Sequence, residues 1–339
     1  MTVYHMFRKF YVLSLLICYS FGYKIEKYPL LMPNVHPYVE ELYLCTPVRV
    51  NYTKNFYIVG FEPSASMNVV HHMLLYGCSE PGSNLPYWDC GEMVIDNGIR
   101  TTYHPCKKGS QIIYAWARDA PKLQLPKDMG FKVGGDSPIQ YLVLQVHYAH
   151  IDSFKDGHPD NSGINLYYTE KKMPKLAGVL LLGTGGYIRP MSTEHMETSC
   201  RINEDKVLHP FAFRTHTHSL GKVVSGYRVR NITGKNDWTL IGKKDPLLPE
   251  MFYPVVDPNI TIKKGDLLAA RCTMKSDRSF VTSVGAKNIN EMCNFYILYW
   301  TEGDSLLTNK YCFTEGPPYY YWKQDGLNNI PEEDASSLD

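Results

Sequence analysis

Short runs of alternating apolar and polar residues, each closed by a turn cluster, recur along the whole chain, and no stretch carries a sustained helical period. The runs 56–61, 111–118, 141–150, 163–169, 176–182, 206–218, 222–230, 267–274 and 291–300 read as strands, because successive side chains on a strand point to opposite faces. Pro81-Gly82, Gly134-Gly135-Asp136, Asp156-Gly157 and the glycines between 183 and 186 separate them. With 44% apolar and only 20% charged residues among 339, the chain can bury a sizeable core. The pattern predicts an all-β protein of two tandem antiparallel β-sandwich domains, jelly-roll-like and stapled by disulfides. The polar connector 170–174 divides them, giving a first domain over 23–171 and a second over 172–330. The acidic segment 331–339 reads as a flexible tail.

Arg8 and Lys9 precede the apolar run 10–19, and the small residues Ser20 and Gly22 follow. That order matches a secretory signal peptide over 1–22, too short to span a bilayer. No later run reaches the ~18 apolar residues of a spanning helix, so no stable membrane anchor is expected. The expected location is the lumen of the secretory pathway, a secretory vesicle or the cell exterior. Of the nine cysteines, Cys18 falls in the leader. Cys45, Cys78, Cys90, Cys106, Cys200, Cys272, Cys293 and Cys312 remain, an even set suited to disulfides in an oxidising compartment. Counting alone leaves on the order of a hundred pairings. Glycosylation sequons at Asn51, Asn231 and Asn259 fit the same compartment. A formal net charge of +1 with no basic block argues against a nucleic-acid partner.

Familiar catalytic motifs are missing: there is no HExxH, GxSxG, P-loop, CxxC or GxGxxG opening a helix, and 156–163 fails the calcium-loop pattern. Histidines stand out instead. In KVLHPFAFRTHTH, a strand would put Arg214, His216 and His218 on one face, where two imidazoles two residues apart can hold one metal ion. The same pattern suits two polar residues on a solvated face. In YLVLQVHYAH, Gln145 and His147 lie opposite an apolar face. His71 and His72 are adjacent, so joint ligation requires a bulge or strong twist there. In EMCNFYILYW, Met292 shares a face with Asn294 and Tyr296, an odd setting for core filler. A thioether beside two imidazoles forms a soft nitrogen–sulfur set that favours Cu(I).

Taken together, 65–78 (ASMNVVHHMLLYGC), 114–118 (YAWAR), 144–148 (LQVHY), His216-Thr217-His218 with 220–230 (LGKVVSGYRVR) and 291–296 (EMCNFY) resemble the peptidylglycine α-hydroxylating monooxygenases, a copper type II, ascorbate-dependent family. The resemblance runs from about 32 to 330. It implies two copper ions per chain, one on His71, His72 and His147 and one on His216, His218 and Met292, the second being the catalytic centre. It implies that Arg214 pairs with the substrate carboxylate, with Tyr296 and Asn294 beside it. Gln145 is a weaker candidate for support or electron passage. It further implies disulfides Cys45–Cys90, Cys78–Cys106, Cys200–Cys312 and Cys272–Cys293. Mammalian members carry one more bridge, but the matching position here is Asn161 and no partner cysteine lies upstream.

The implied reaction hydroxylates the α-carbon of a C-terminal glycine, the first step of peptide amidation, with ascorbate as reductant and O2 as co-substrate. The implied partners are glycine-extended peptides and a separate lyase for the second step, and the chain is expected to be a monomer. One alternative is a hydroxylase of a small amine, like dopamine β-monooxygenase. Another is a secreted β-sandwich that binds copper or peptide without turnover.

Overall fold

The computed structural model describes residues 23–91, 103–285 and 289–339. The expected leader and Cys18 lie outside them. Among the described residues the regular structure is β-strand apart from one 3-10 turn, Asp152–Phe154, and no helix is long and apolar enough to cross a membrane.

The chain forms two tandem β-sandwiches. In the N-terminal lobe a five-stranded antiparallel sheet runs in the order Trp88–Asp89, Leu42–Arg49, Tyr141–Tyr148, His72–Cys78, Gln111–Ala117. Its inner residues Leu44, Leu75, Leu144 and Val146 pack on Ile58, Phe61, Phe131 and Leu166 of the facing sheet. In the C-terminal lobe Thr193–Arg201, Leu267–Lys275, Gly221–Ile232 and Lys235–Lys244 form a four-stranded sheet. It covers one face of Lys175–Thr184, Asn294–Glu302 and His209–His216, through Met196, Val224 and Leu268 against Leu182, Phe213 and Ile297.

The two sandwiches share a sheet, which the strand pattern does not foretell. Met129–Gly134 of the first lobe pairs in parallel with Lys175–Thr184 of the second at Met129↔Lys175 and Gly130↔Leu176. A ten-stranded sheet therefore crosses the whole molecule. Its central strands are covered on both sides. Phe295, Ile297 and Tyr299 enter the C-terminal core, while Tyr296 and Leu298 join Ala177, Val179, Leu181 and Phe252 against the N-terminal core. Strands buried on both faces read as near-continuous apolar runs, which accounts for LAGVLLL and FYILYW. The connector 170–174 is mostly exposed, but Met173 is buried beside Tyr57 and Val59.

Four disulfides staple the lobes: Cys45–Cys90 and Cys78–Cys106 in the first, Cys200–Cys312 and Cys272–Cys293 in the second. The asparagines of the three sequons are exposed.

The expectation of a flexible acidic tail is corrected by the packing of 331–339. Ala335 is fully buried against Tyr227, Val229 and Trp322, and its carbonyl accepts a 2.9 Å bond from Ser225 Oγ. Asp334 takes a 2.6 Å bond from the Tyr227 hydroxyl and pairs with Lys243 at 2.9 Å, and Glu332 reaches the buried Arg271 at 2.7 Å. Composition suggested a solvated end, but a single small residue seals an aromatic cluster. Ala335→Asp is expected to cost about 2–4 kcal/mol in urea unfolding, since it buries a carboxylate without a partner. A tail free in solvent would show a change below about 0.5 kcal/mol.

Candidate active site

Two side-chain clusters face the cleft between the lobes. The first stands at one end of the five-stranded sheet. His72 opens its strand and pairs in register with His147, which pairs in turn with Tyr43. His71 precedes that strand, and its N–H donates to the His147 carbonyl at 2.9 Å. The strand's start, and no bulge, lets adjacent histidines turn the same way; the one irregularity against Gln111–Ala117 falls at Leu75/Tyr76.

Within this cluster His72 Nδ1 lies 3.3 Å from His71 Nδ1 and 3.3 Å from His147 Nδ1, and all three ligand atoms lie within 4.8 Å of one another. Glu41 Oε2 sits 2.8 Å from the other nitrogen of His147, and the Tyr43 ring stacks on that imidazole at 4.0 Å. Burial, reinforced by the neighbouring His147, pushes His71 down to about 4, and burial drives His72 well below the usual histidine range. Neutral imidazoles with converging nitrogens are the donors a borderline or soft metal ion requires.

The second cluster is built by two paired strands. His216 stands opposite Asn294 and Arg214 opposite Tyr296, so the side chains that alternation put on separate strand faces meet on one surface. The strand ends at His216 and its neighbour begins at Asn294, so His218 and Met292 project from turns. Glu291, fully buried, ties those turns together. It accepts from the backbone N–H of His218 at 2.8 Å, Leu220 at 2.7 Å and Met292 at 3.2 Å. The His216 and His218 rings stand 5.5 Å apart, nearly perpendicular. His218 Nδ1 lies 3.0 Å from the Asn290 carbonyl, and burial, then His216, lowers its affinity for a proton. The Asn294 amide reaches the Met292 sulfur at 3.8 Å.

The first cluster, through His72, and the second border one cavity of about 80 Å³, lined among others by His72 and Gln145 on one side and Arg214, His216, His218, Met292, Asn294 and Tyr296 on the other. Gln145 is buried; its amide donates to the Gly91 carbonyl at 3.2 Å, which fixes it beside Cys90.

Arg214 is where the structure departs most from the sequence reading. It is 3% exposed, and its guanidinium already contacts the carboxylate of the buried Glu250 and lies 5.0 Å over the Tyr296 ring. Glu250 Oε2 also lies 2.9 Å from His216 Nδ1, and Oε1 is 3.6 Å from Arg118 Nε of the other lobe. Burial would push the Glu250 carboxyl up, but His216 and Arg214 outweigh it and hold it near 2. Sequence reading missed both glutamates. Glu291 carried a faint signal as an acid bordering an apolar strand, whereas Glu250 lies in a loop over thirty residues from its partners.

Two sandwiches present an all-imidazole set and an imidazole–thioether set across one cleft, the donor pattern of a metalloprotein for borderline and soft ions, copper among them. Residues 28–155 match the family model "Copper type II ascorbate-dependent monooxygenase, N-terminal domain" and 175–325 match its C-terminal domain. The chain belongs to the copper type II ascorbate-dependent monooxygenase family.

It is 41% identical over 305 residues to the peptidyl-glycine alpha-amidating monooxygenase of Mus musculus, covering 89% of this chain and 29% of that protein. The A form from Xenopus laevis is 39% identical, over 88% of this chain and 31% of its own length. Human dopamine beta-hydroxylase is 27% identical, over 80% and 45%. The chain thus spans about three tenths of the amidating relatives. A likeness to the major capsid protein P2 of bacteriophage PM2, with a TM-score of 0.28 at 9% identity, covers 83% of this chain and 98% of that one and bears on neither fold nor function.

Glu291→Gln is expected to cost about 1.5–3 kcal/mol, because an amide nitrogen would face backbone donors that a carboxylate now satisfies. Copper affinity at the His216/His218/Met292 set should fall about 10–100-fold, with the three-histidine set unaffected. Urea unfolding and copper titration check both, and unchanged titration of the second set would contradict the role given to Glu291.

Proposed function

We propose that this chain is a peptidylglycine monooxygenase. It would hydroxylate the α-carbon of a C-terminal glycine in the secretory-pathway lumen, and the product would pass to a separate lyase step. One observation carries the reading: His72 of the first donor set, all three members of the second, and Arg214, Asn294 and Tyr296 border the same cavity.

The residues present suit two coppers. His71, His72 and His147 offer converging Nδ1 atoms, and His216 and His218, with Nδ1 held by Glu250 and the Asn290 carbonyl, keep Nε2 for a ligand beside the Met292 thioether. Copper at each set would supply the two one-electron changes that O2 requires when one oxygen atom enters the substrate and the other leaves as water, with ascorbate restoring them. The protein's own part is binding and orientation. Arg214 would take the terminal carboxylate in a charge-assisted hydrogen bond, stiffened by Tyr296 behind its guanidinium. Asn294, held against the Met292 sulfur, would keep the glycine α-carbon beside that donor set. The exposed sequons and the disulfides support an oxidising compartment.

The test is incubation with a glycine-extended peptide, copper and ascorbate, read by mass for one added oxygen, together with metal analysis. Two coppers per chain and oxygen added to the peptide are expected. One copper, zinc alone, or oxygen added only to a small aromatic amine would overturn the reading.

A further inference from the structure

Glu250 is a buried carboxylate that the function proposed above uses only to hold His216, yet it touches both halves of that site. Its side chain is 5% exposed. Oε2 meets the Arg214 guanidinium and lies 2.9 Å from His216 Nδ1; its own backbone carbonyl accepts from Arg214 Nε at 3.3 Å; Oε1 faces Arg118 Nε at 3.6 Å. The loop that carries it is held from both lobes. Leu247 N–H bonds Asp245 Oδ1 at 2.8 Å, Arg118 donates to the Leu247 carbonyl, and Phe252 packs toward Tyr114. Glu250 is absent from the cavity lining, so it stands behind Arg214 and His216.

One oxygen thus serves two clients. An imidazole that donates through Nδ1 presents Nε2 as the free acceptor, so Glu250 selects the tautomer of His216 able to bind metal. The first centre uses the same device, with Glu41 on the far nitrogen of His147. Arg214, in turn, offers the cleft a charge that Glu250 already balances.

We propose that Glu250 is a positioning residue that couples metal binding at His216 to carboxylate binding at Arg214. A cation on Nε2 strengthens the Nδ1–H bond to Glu250, drawing the carboxylate toward His216 and loosening its hold on Arg214. The guanidinium is then freer to take an anion from the cleft. The reverse holds with equal strength, since linkage between two sites is reciprocal. Metal-free protein should bind a free C-terminal carboxylate weakly, and metal-loaded protein more tightly.

The inference rests on the function proposed above, and the experiment separates the two. Binding of a fluorescent glycine-extended peptide is measured anaerobically, without ascorbate, on metal-free and Cu(I)-loaded protein. The wild type should bind the free acid about 5–20-fold more tightly when loaded, with no such gain for the same peptide as its amide. In Glu250→Gln the metal-free protein should bind the acid about tenfold more tightly than metal-free wild type, because Arg214 has lost its counter-charge, and the gain on loading should fall below about twofold. Glu250→Asp should restore part of the gain. A gain in Glu250→Gln equal to that of the wild type would overturn the proposal. Should that variant lose cooperative unfolding, the wild type decides alone: equal affinity with and without Cu(I) overturns it. Cu(I) uptake in His216→Ala equal to that of the wild type would sink the coupling and the function reading together.

Discussion

Met292→Ala is expected to abolish oxygen insertion while leaving the fold nearly intact. Met292 sits in a turn, half-buried, and its backbone N–H is held by Glu291 whatever its side chain. Truncation therefore removes little core packing, and the cost should stay near 1 kcal/mol. The chemical loss is larger. Among the described residues the thioether is the one soft donor beside His216 and His218 along the cavity wall, and without it the set favours harder ions. Losing an outer partner of a ligand typically costs 10–100-fold; losing the ligand itself should exceed about 100-fold in hydroxylation rate. Oxygen uptake and peptide mass measure the activity, copper titration the second site, and thermal unfolding the fold. Activity within tenfold of wild type would remove Met292 from the oxygen-handling site.

Arg214→Ala should act twice. Loss of a charge-assisted bond to the terminal carboxylate is worth about 1.5–3 kcal/mol, so KM for glycine-extended peptides should rise about 10–100-fold. The same change leaves the buried Glu250 with only His216 at 2.9 Å and Arg118 at 3.6 Å, and breaking a buried pair from one side costs about 3–5 kcal/mol of stability. The double variant Arg214→Ala/Glu250→Gln separates the effects. Stability should largely return, because no charge is left stranded, whereas KM should stay high. A KM that recovers with the fold would mean that the carboxylate is held elsewhere.

The strand pattern made much of this site legible. Period-two alternation set Arg214 and His216 on one face and Met292, Asn294 and Tyr296 on another, and the sheet joins those faces in register. It went astray where a strand ended early. His218 and Met292 lie past the strand ends, and His71 lies before one, so turns, and no continued alternation, aim them. Glu250 was invisible because its burial is made by a loop folding back across more than thirty residues. The closing segment was misread because acidity was weighed above one buried alanine. The sheet crossing both lobes depends on a parallel pairing between residues 129 and 175, and the alternation pattern cannot name a partner strand.

That common sheet bears on how the cleft is spanned. Parting the lobes would strip the rungs at Met129 and Gly130 and wet Leu181, Leu298 and Phe252 on the far side. The gap between the histidine trio and the thioether is thus a dimension inherited from the twist of one continuous ribbon, settled when the chain folds. Whatever enters must fit the aperture that this shared ribbon leaves between the lobes.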